Sequence, residues 1–144
     1  MPKAREALFL AWLLAACVAG VANCRQSQEE NPVNAYNLFA EALKKADLKG
    51  AYGYLSAETR QAIEQRTQAV SAASGGVVKT DPPTWLFGSV GRPPPLTEVK
   101  LLSLDGGTAT VRVAGGNLSS KVTMVRERTG WKVDLREWLD RPPQ

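Results

Sequence analysis

The stretch Thr108–Asp134, TATVRVAGGNLSSKVTMVRERTGWKVD, decides the fold of this chain. Apolar and polar residues alternate along it with a period of two, which predicts strands that bury one face. The alternation is interrupted at Gly115-Gly116-Asn117 and at Thr129-Gly130. Both interruptions contain a glycine that can take the positive φ of a hairpin turn. The stretch therefore predicts three consecutive antiparallel strands joined by tight turns.

A further alternating segment, Leu96–Leu104, ends at Asp105-Gly106-Gly107 and adds a strand before these three. The prediction is a four-stranded antiparallel meander with strands at Leu96–Leu104, Thr108–Ala114, Lys121–Arg128 and Trp131–Leu135. The alternation assigns an apolar set to the buried face, namely Val111, Val113, Val122, Met124, Trp131, Val133 and Leu135. It assigns a polar set to the outer face, namely Arg112, Lys121, Thr123 and Lys132.

Three helices are predicted before the sheet. The first starts at Pro32 behind a capping Asn31, and its apolar residues recur at spacings of three and four: Ala35, Leu38, Phe39, Ala42, Leu43 and Ala46. Asp47 caps a second helix that runs through Leu55, with an apolar face of Leu48, Ala51, Tyr52 and Leu55. Ser56 caps a third, from Ala57 to about Val70, with a thin apolar stripe of Ala62, Ile63, Arg66, Ala69 and Val70.

A proline-rich span separates the predicted helices from the predicted strands. Pro82-Pro83 and Pro93–Pro95 bracket Trp85-Leu86-Phe87. Since proline donates no backbone hydrogen bond, we expect neither a central strand nor an undisturbed helix there, but a crossover with one apolar anchor. Helices followed by strands predict an α+β fold, with three N-terminal helices packed on one face of a curved four-stranded meander.

The N-terminus has the pattern of a secretory signal peptide. Lys3 and Arg5 precede Ala7–Ala16, a run of apolar residues too short for the roughly 20 that span a bilayer. Leu14-Ala15-Ala16-Cys17 resembles a lipobox, which directs a lipid onto the cysteine and cleavage before it. Cys24, behind Val21-Ala22-Asn23, is the alternative lipidation site. Ordinary cleavage after Ala22 and a retained membrane anchor are the other interpretations.

The predicted organisation is a lipoprotein signal peptide at 1–16, a polar tether at 17–31 and an α+β domain at 32–141. Arg25–Asn31 is polar and lacks apolar periodicity, as expected for a tether. A chain processed at Cys17 would be exported and held by fatty acids such as palmitate to the bacterial cell membrane or outer membrane. Its domain would face the periplasm or the exterior of the cell.

Composition excludes several classes of site. The 144 residues include no histidine, so the usual general base and the commonest metal ligand are missing. The two cysteines, Cys17 and Cys24, both precede the predicted domain. The net charge of +4 comes from scattered basic residues, whereas a nucleic-acid-binding domain concentrates them in a stripe. We therefore expect no metal, no cofactor and no nucleic acid.

Both ends of the predicted domain resemble the nuclear-transport-factor-2-like superfamily. Ala35–Ile63, AYNLFAEALKKADLKGAYGYLSAETRQAI, is similar to the opening helices of its small exported domains. Ala109–Asp134, with its "gly-trp-lys-val-asp" hairpin, is similar to its last strands. The resemblance implies a cone in which a curved sheet wraps around helices, with a pocket at the open end. The superfamily includes isomerases, dehydratases, binding proteins and a lumazine-binding-like branch of bacterial lipoproteins, so it does not choose a function.

The resemblance implies no catalytic residues for this chain. The superfamily's isomerases use a tyrosine with a carboxylate, and its dehydratases use a His–Asp pair, which a chain without histidine cannot supply. The available side chains each have a structural interpretation, as core, cap, turn or surface residues: Tyr36, Tyr52, Tyr54, Asp47, Glu58, Asp105, Asp134, Trp131, Trp138 and Arg126-Glu127-Arg128. Ser119 and Ser120 have no histidine to act as their general base, so they are not candidate nucleophiles. Pro93–Pro95 is interpreted as a rigid connector, with recruitment of a groove-type partner as the alternative.

The sequence thus predicts a membrane-tethered, non-catalytic envelope domain that binds a small apolar ligand or an envelope protein. The alternative is a pocket enzyme, isomerase-like or dehydratase-like, that uses a tyrosine and a carboxylate. The two hypotheses differ in what a pocket must contain, because the enzyme requires a tyrosine and a carboxylate that face each other in a space open to substrate.

Lipidation at Cys17 is the first testable prediction. Fatty-acid labelling of the full chain should disappear in Cys17→Ala and persist in Cys24→Ala, since only the thiol that receives the lipid matters. The reverse pattern would place the lipid on Cys24. Labelling in neither protein would refute the lipoprotein hypothesis.

Overall fold

A computed structural model of the chain describes residues 30–88 and 95–141. Cys17, Cys24 and the first two residues of Pro93–Pro95 lie outside the described residues. The helices are α1 Pro32–Lys44, α2 Leu48–Gly53, α3 Ala57–Ala73, α4 Pro82–Phe87 and α5 Arg136–Leu139. The strands are β1 Leu96–Asp105, β2 Thr108–Gly115, β3 Leu118–Glu127 and β4 Gly130–Asp134. The α+β class and the antiparallel four-stranded sheet are therefore confirmed.

Helix α1 begins as its sequence predicts. The side-chain oxygen of Asn31 accepts a hydrogen bond from the amide of Val33 at 2.8 Å, and Pro32 occupies the first turn, where a missing N–H costs nothing. The helix ends earlier than its apolar spacing indicates. Ala46 has φ 57° and is exposed, because the chain turns sharply there to begin α2. The assignment of Ala46 to the apolar face was wrong.

Helices α2 and α3 follow with side-chain caps that the sequence indicates. The Asp47 carboxylate accepts from the Gly50 amide at 2.8 Å, and a Cβ at Gly50 would collide with that carboxylate. Helix α3 continues to Ala73, beyond its predicted end. Its buried apolar side chain is Ile63, whereas Ala69 and Val70 are exposed. The predicted stripe of α3 was therefore wrong in its second half, which extends past the core.

The proline-rich span contains a helix that its sequence pattern did not predict. Helix α4 starts directly at Pro82-Pro83, and the Asp81 carboxylate accepts from the Thr84 amide at 3.1 Å. Prolines disrupt a helix interior but are compatible with the first turn, whose amides have no helical acceptor. The predicted apolar anchor is present, because Leu86 and Phe87 are buried. With α5 after the sheet, the described residues form five helices where three were expected.

The sheet has the strand order β1-β2-β3-β4, with each neighbouring pair antiparallel. Gly106 and Gly116 lie in the first two hairpin turns with φ 54° and 58°, a conformation that other residues adopt at a cost. Each strand begins or ends within a few residues of its prediction. Strand β1 carries two register shifts, between Leu96 and Glu98 and between Leu101 and Ser103. The predicted meander is thus present, with an irregular first strand.

The core lies between α1 and the inner face of the sheet, defined by the side chains that are buried there. These are Ala109, Val111, Val113, Met124, Trp131 and Val133, while Val122 and Leu135 are half-buried. Helix α1 contributes Ala35, Phe39 and Ala42, and contacts β1, β2 and β4. The ring of Phe39 packs against Phe87 of α4 with centroids 6.1 Å apart. The small alanines of α1 leave room for the large side chains of the sheet.

The Trp131→Ala substitution tests this core. Trp131 is 2% exposed, and truncating a buried tryptophan costs about 3–5 kcal/mol of unfolding free energy. We therefore expect severe destabilisation in a thermal or denaturant unfolding experiment. Trp138→Ala is the matched control, because Trp138 is 55% exposed and its removal should leave stability nearly unchanged. A Trp131→Ala protein that keeps its melting temperature within about one degree would contradict the assignment.

Candidate functional site

A buried polar cluster joins the start of α3 to the end of β4. Ser56 and Thr59 are 2% and 0% exposed. The Ser56 hydroxyl donates to Thr59 Oγ1 at 2.8 Å and accepts from the Thr59 amide at 3.1 Å. Thr59 Oγ1 in turn donates to Asp134 Oδ1 at 3.1 Å and accepts from the Leu135 amide at 3.0 Å. The hydroxyls therefore connect the cap of a helix to a strand that is distant in sequence.

Asp134 completes the cluster with an arginine. Arg136 Nε lies 3.0 Å from both carboxylate oxygens of Asp134, and one guanidinium nitrogen lies 2.6 Å from Oδ2. The same guanidinium also contacts the carboxylate of Glu58 in the first turn of α3. Burial of Asp134 acts to raise its pKa. The hydrogen bonds from Arg136 and Thr59 and the positive charge of Arg136 outweigh it, so the pKa of Asp134 is lowered.

The cluster is built for structure rather than for nucleophilic catalysis. A catalytic serine needs a base that takes its proton, and Ser56 donates that proton to the hydroxyl of Thr59. The lowered pKa of Asp134 holds it as a carboxylate that anchors Arg136 and Thr59. Each polar atom of the Ser56–Thr59–Asp134 chain thus has a role in capping α3 or fixing β4.

One tyrosine and one carboxylate do meet in the described residues. Tyr52 Oη donates to the backbone oxygen of Arg60 at 3.1 Å and lies 3.4 Å from Glu64 Oε1. Burial, and then the negative charge and hydrogen bonding of Glu64, raise the pKa of Tyr52 to about 12. The pair connects α2 to α3. A phenol with this pKa stays protonated at neutral pH, which is unfavourable for a general base.

The outer face of the sheet holds an unexpected buried lysine. The alternation placed Lys132 correctly on the outer face, but the residue is only 7% exposed, so the expectation that it faces solvent was wrong. Its ammonium group lies 5.6 Å from the centroid of the Tyr54 ring, within range of a cation–π contact. Tyr54 belongs to the segment that follows α2. A period of two identifies the face of a strand correctly, but it cannot show what later covers that face.

Backbone pairing at Val133 protects the β4 edge of the sheet. The Ser56 amide donates to the Val133 oxygen and the Val133 amide donates to the Tyr54 oxygen, both at 2.9 Å. Leu55 thereby forms a parallel bridge with Val133. The two bonds and the polar cluster lie side by side, so the junction between α2 and α3 protects this edge. The sequence offered no signal for it, because a single bridging residue has no periodicity.

The β1 edge is open by comparison. Among residues 30–88 and 95–141, no strand pairs with the side of β1 that faces away from β2. Every residue of β1 is exposed except Val99, which is partly buried. Four leucines contribute to this surface, with exposures of 38%, 38%, 43% and 58% for Leu96, Leu101, Leu102 and Leu104. We call β1 and these leucines the open edge, and it is the candidate functional site.

Basic charge dominates the outer face beside the open edge. The register places Lys100 opposite Arg112 and Arg112 opposite Lys121, so three cations form a row across β1, β2 and β3. Glu98 contacts Arg112 at 2.6 Å and compensates one of them. Like charges directly opposite one another destabilise a sheet. The row therefore favours an additional negative charge next to β1.

The structure places the remaining predicted residues apart from one another. Trp131 lies in the core as predicted, and Trp138 lies exposed on α5. Arg126 and Arg128 are exposed at their hairpin end, as a surface interpretation predicts. Between them, the carboxylate of partly buried Glu127 accepts from the Ala57 amide at 2.6 Å, which adds a second cap to α3. The cap was not predicted, because a cap contributed by a distant hairpin leaves no local trace in sequence. Asp105 is exposed at its turn, as predicted.

Comparison of the chain with protein-family models, with curated proteins and with solved structures gives no match. Within the part of the chain that the structure describes, no helix has the length and apolarity needed to cross a membrane. The same residues contain no group of three histidine, cysteine, aspartate or glutamate side chains that could hold a metal ion.

Substitution of Asp134 tests the polar cluster. Because its folded-state pKa is lowered, ionised Asp134 stabilises the fold at and above its ordinary pKa near 4, and this contribution is lost as pH falls through the lowered value. Asp134→Asn should lower the free energy of unfolding by about 1–3 kcal/mol at neutral pH. It should also flatten the loss of stability below about pH 4 in denaturant titrations.

Asp105→Asn provides the control for this prediction, since Asp105 is an exposed turn residue. Its stability at neutral pH should match that of the unsubstituted chain. An Asp134→Asn protein that behaves like Asp105→Asn at every pH would show that the cluster does not stabilise the fold.

Proposed function

We propose that this chain is an exported lipoprotein, anchored to a bacterial membrane by lipid on Cys17, whose domain is a non-catalytic binding module of the cell envelope. Cys24 is the alternative anchor. The proposal for the anchor is supported by the charged start, the apolar run and Leu14-Ala15-Ala16 before Cys17. The proposal for binding is supported by the open edge.

We extend the proposal to a cone-like fold of the nuclear-transport-factor-2-like type. It is supported by the resemblance of Ala35–Ile63 and Ala109–Asp134 to that superfamily. A helix packed along the inner face of an antiparallel meander is compatible with it. Fold type alone does not select the ligand, so the nature of the partner is argued from the open edge.

The observation that carries the binding function is the difference between the two edges of the sheet. At β4 the amide and carbonyl of Val133 are bonded to Tyr54 and Ser56, whereas no strand among the described residues pairs with the outer side of β1. An exposed edge strand is a template for an added strand, with the backbone giving affinity and the side chains giving specificity. Of the two partners considered, an envelope protein fits this surface better than a small apolar ligand.

The alternative enzyme hypothesis depends on the Tyr52–Glu64 pair. Tyr52 Oη is already bonded to the backbone of Arg60, and its pKa is raised to about 12. Both features explain the pair as a link between helices. They weigh against a tyrosine and carboxylate that exchange protons with a substrate, which would need accessible groups with pKa values near the working pH.

Site-specific photo-cross-linking in intact bacteria tests the binding function. A photoreactive amino acid at Leu104 of the full chain should give a cross-linked product, because Leu104 is 58% exposed on the open edge. The control position is Leu118, which is 72% exposed at the hairpin between β2 and β3. Adding Leu101→Lys should remove the product, since a lysine on the edge opposes strand addition.

The outcomes of this experiment distinguish binding through the open edge from binding through another surface. A product at Leu104 that Leu101→Lys removes and Leu118→Lys leaves unchanged supports binding through the open edge. Equal products from positions 104 and 118, or none from position 104, would contradict it. A product that persists with Leu101→Lys would move the binding surface elsewhere.

A further inference from the structure

We propose that the open edge pairs with the open edge of a second copy of this chain, about a twofold axis at Val99, so that two four-stranded sheets join into one. This inference rests on the proposed function and names its partner.

The regular part of β1 is short and limits the pairing. Register shifts lie between Leu96 and Glu98 and between Leu101 and Ser103, so Glu98–Leu101 is the segment with undisturbed geometry. Bulges bend a strand and interrupt regular pairing. A second strand that pairs in the ordinary way must therefore be centred within or beside Glu98–Leu101.

The two faces of the segment restrict the register further. Val99 and Leu101 pair with Val113 and Val111 of β2, which are buried on the inner face. Residues directly opposite each other in an antiparallel pair share a face. The inner faces of both copies lie on the same side of the joined sheet only if one residue lies directly opposite its own copy. The twofold axis then passes midway between the two copies of that residue, which is called its centre.

Charge then selects among the remaining centres. An axis at Glu98 would set Glu98 against Glu98, and an axis at Lys100 would set Lys100 against Lys100. An axis at Leu101 would leave only Leu101 paired within the regular segment, because Lys100 would lie opposite the irregular position 102, whereas an axis at Val99 keeps positions 98 to 100 paired within it. An axis at Val99 sets Glu98 of each copy opposite Lys100 of the other, twice by symmetry. Opposite charges in cross-strand pairs are stabilising and like charges are not, which favours Val99.

The same register also reduces the excess of positive charge on the outer face. Lys100 lies opposite Arg112, which lies opposite Lys121, and Glu98 contacts only Arg112 among these within its own copy. Glu98 of the second copy would lie at the free end of this row, next to Lys100. Lysine on an edge strand ordinarily prevents pairing with other chains. Here Lys100 would allow pairing with a strand that places a carboxylate directly opposite it.

Apolar surface is also covered in this arrangement. Val99 would meet Val99 of the second copy at the axis, and Leu101 would lie diagonally beside it on the inner face. Leu101 is 38% exposed in the single copy. The contact is a single pair of strands, so it belongs with small interfaces, and we expect a dissociation constant in the micromolar range. Tethering both copies to one membrane would raise their effective concentration and populate the dimer.

The first experiment measures the mass of the purified full chain in detergent by sedimentation velocity, at concentrations up to about 200 µM. A concentration-dependent dimer is expected. Lys100→Glu sets like charges opposite each other at two positions and should weaken the dimer about tenfold or more. Glu98→Lys combined with Lys100→Glu restores opposite charges and should recover it. Lys121→Glu is the control, because Lys121 flanks Arg112 on the other side, away from the edge.

The second experiment tests the register by disulfide trapping in a Cys24→Ser background. Val99→Cys should give a disulfide-linked dimer under oxidation, because the twofold axis brings the two copies of this residue together. Leu118→Cys, at an exposed hairpin, and the Cys24→Ser parent should not exceed background.

A monomer at all concentrations would overturn the proposal, as would a dimer unaffected by Lys100→Glu, one that the double substitution does not restore, or one that Val99→Cys does not trap. The proposed function fails separately. A monomeric chain that still cross-links through Leu104 to a different envelope protein would keep the binding function and refute only the second copy.

Discussion

The hydrogen-bonded junction between the segment Tyr54–Ser56 and strand β4 is the constraint on which the rest of the structure depends. Two backbone bonds to Val133 and the Ser56–Thr59–Asp134 chain fix the helical half of the domain to the end of the sheet. Because these groups are buried, losing one partner would leave others without hydrogen bonds, which costs more than the bond itself contributes. The junction therefore determines where α3 begins, how β4 ends and which edge of the sheet is protected.

Protection of one edge leaves the two sides of the sheet with different roles. The β4 side is covered by the junction, and α1 packs along the inner face from β4 to β1 without covering the leucines at the far side. Stable folds usually blunt an open edge with charges, bulges or short strands. Strand β1 has Lys100 and two register shifts, yet it remains ten residues long with exposed leucines. This combination fits an edge that pairs with a selected partner better than an edge that is protected from pairing with any chain.

The buried polar groups bear on the choice between catalysis and binding. The side chains that a search for catalytic residues would select first, Ser56, Thr59, Asp134 and Tyr52, are all joined to caps, backbone atoms or an arginine. Lys132 is buried against the Tyr54 ring on the outer face. Such groups hold secondary structure in place, and the proposed binding surface is therefore sought on the exposed sheet edge and its row of cations.

Elements that depend on local periodicity and local capping were predictable from the sequence. The alternation in Thr108–Asp134, the buried position of Trp131 and the caps Asn31, Asp47 and Ser56 could all be predicted, because strands, helices and their first turns are set by neighbouring residues. Sequence patterns did not predict the helix at Pro82-Pro83, the burial of Lys132, the capping of α3 by Glu127 or the contrast between the edges. Each of these depends on residues that are distant in sequence, and a one-dimensional pattern does not record which distant segment comes to lie against a given face.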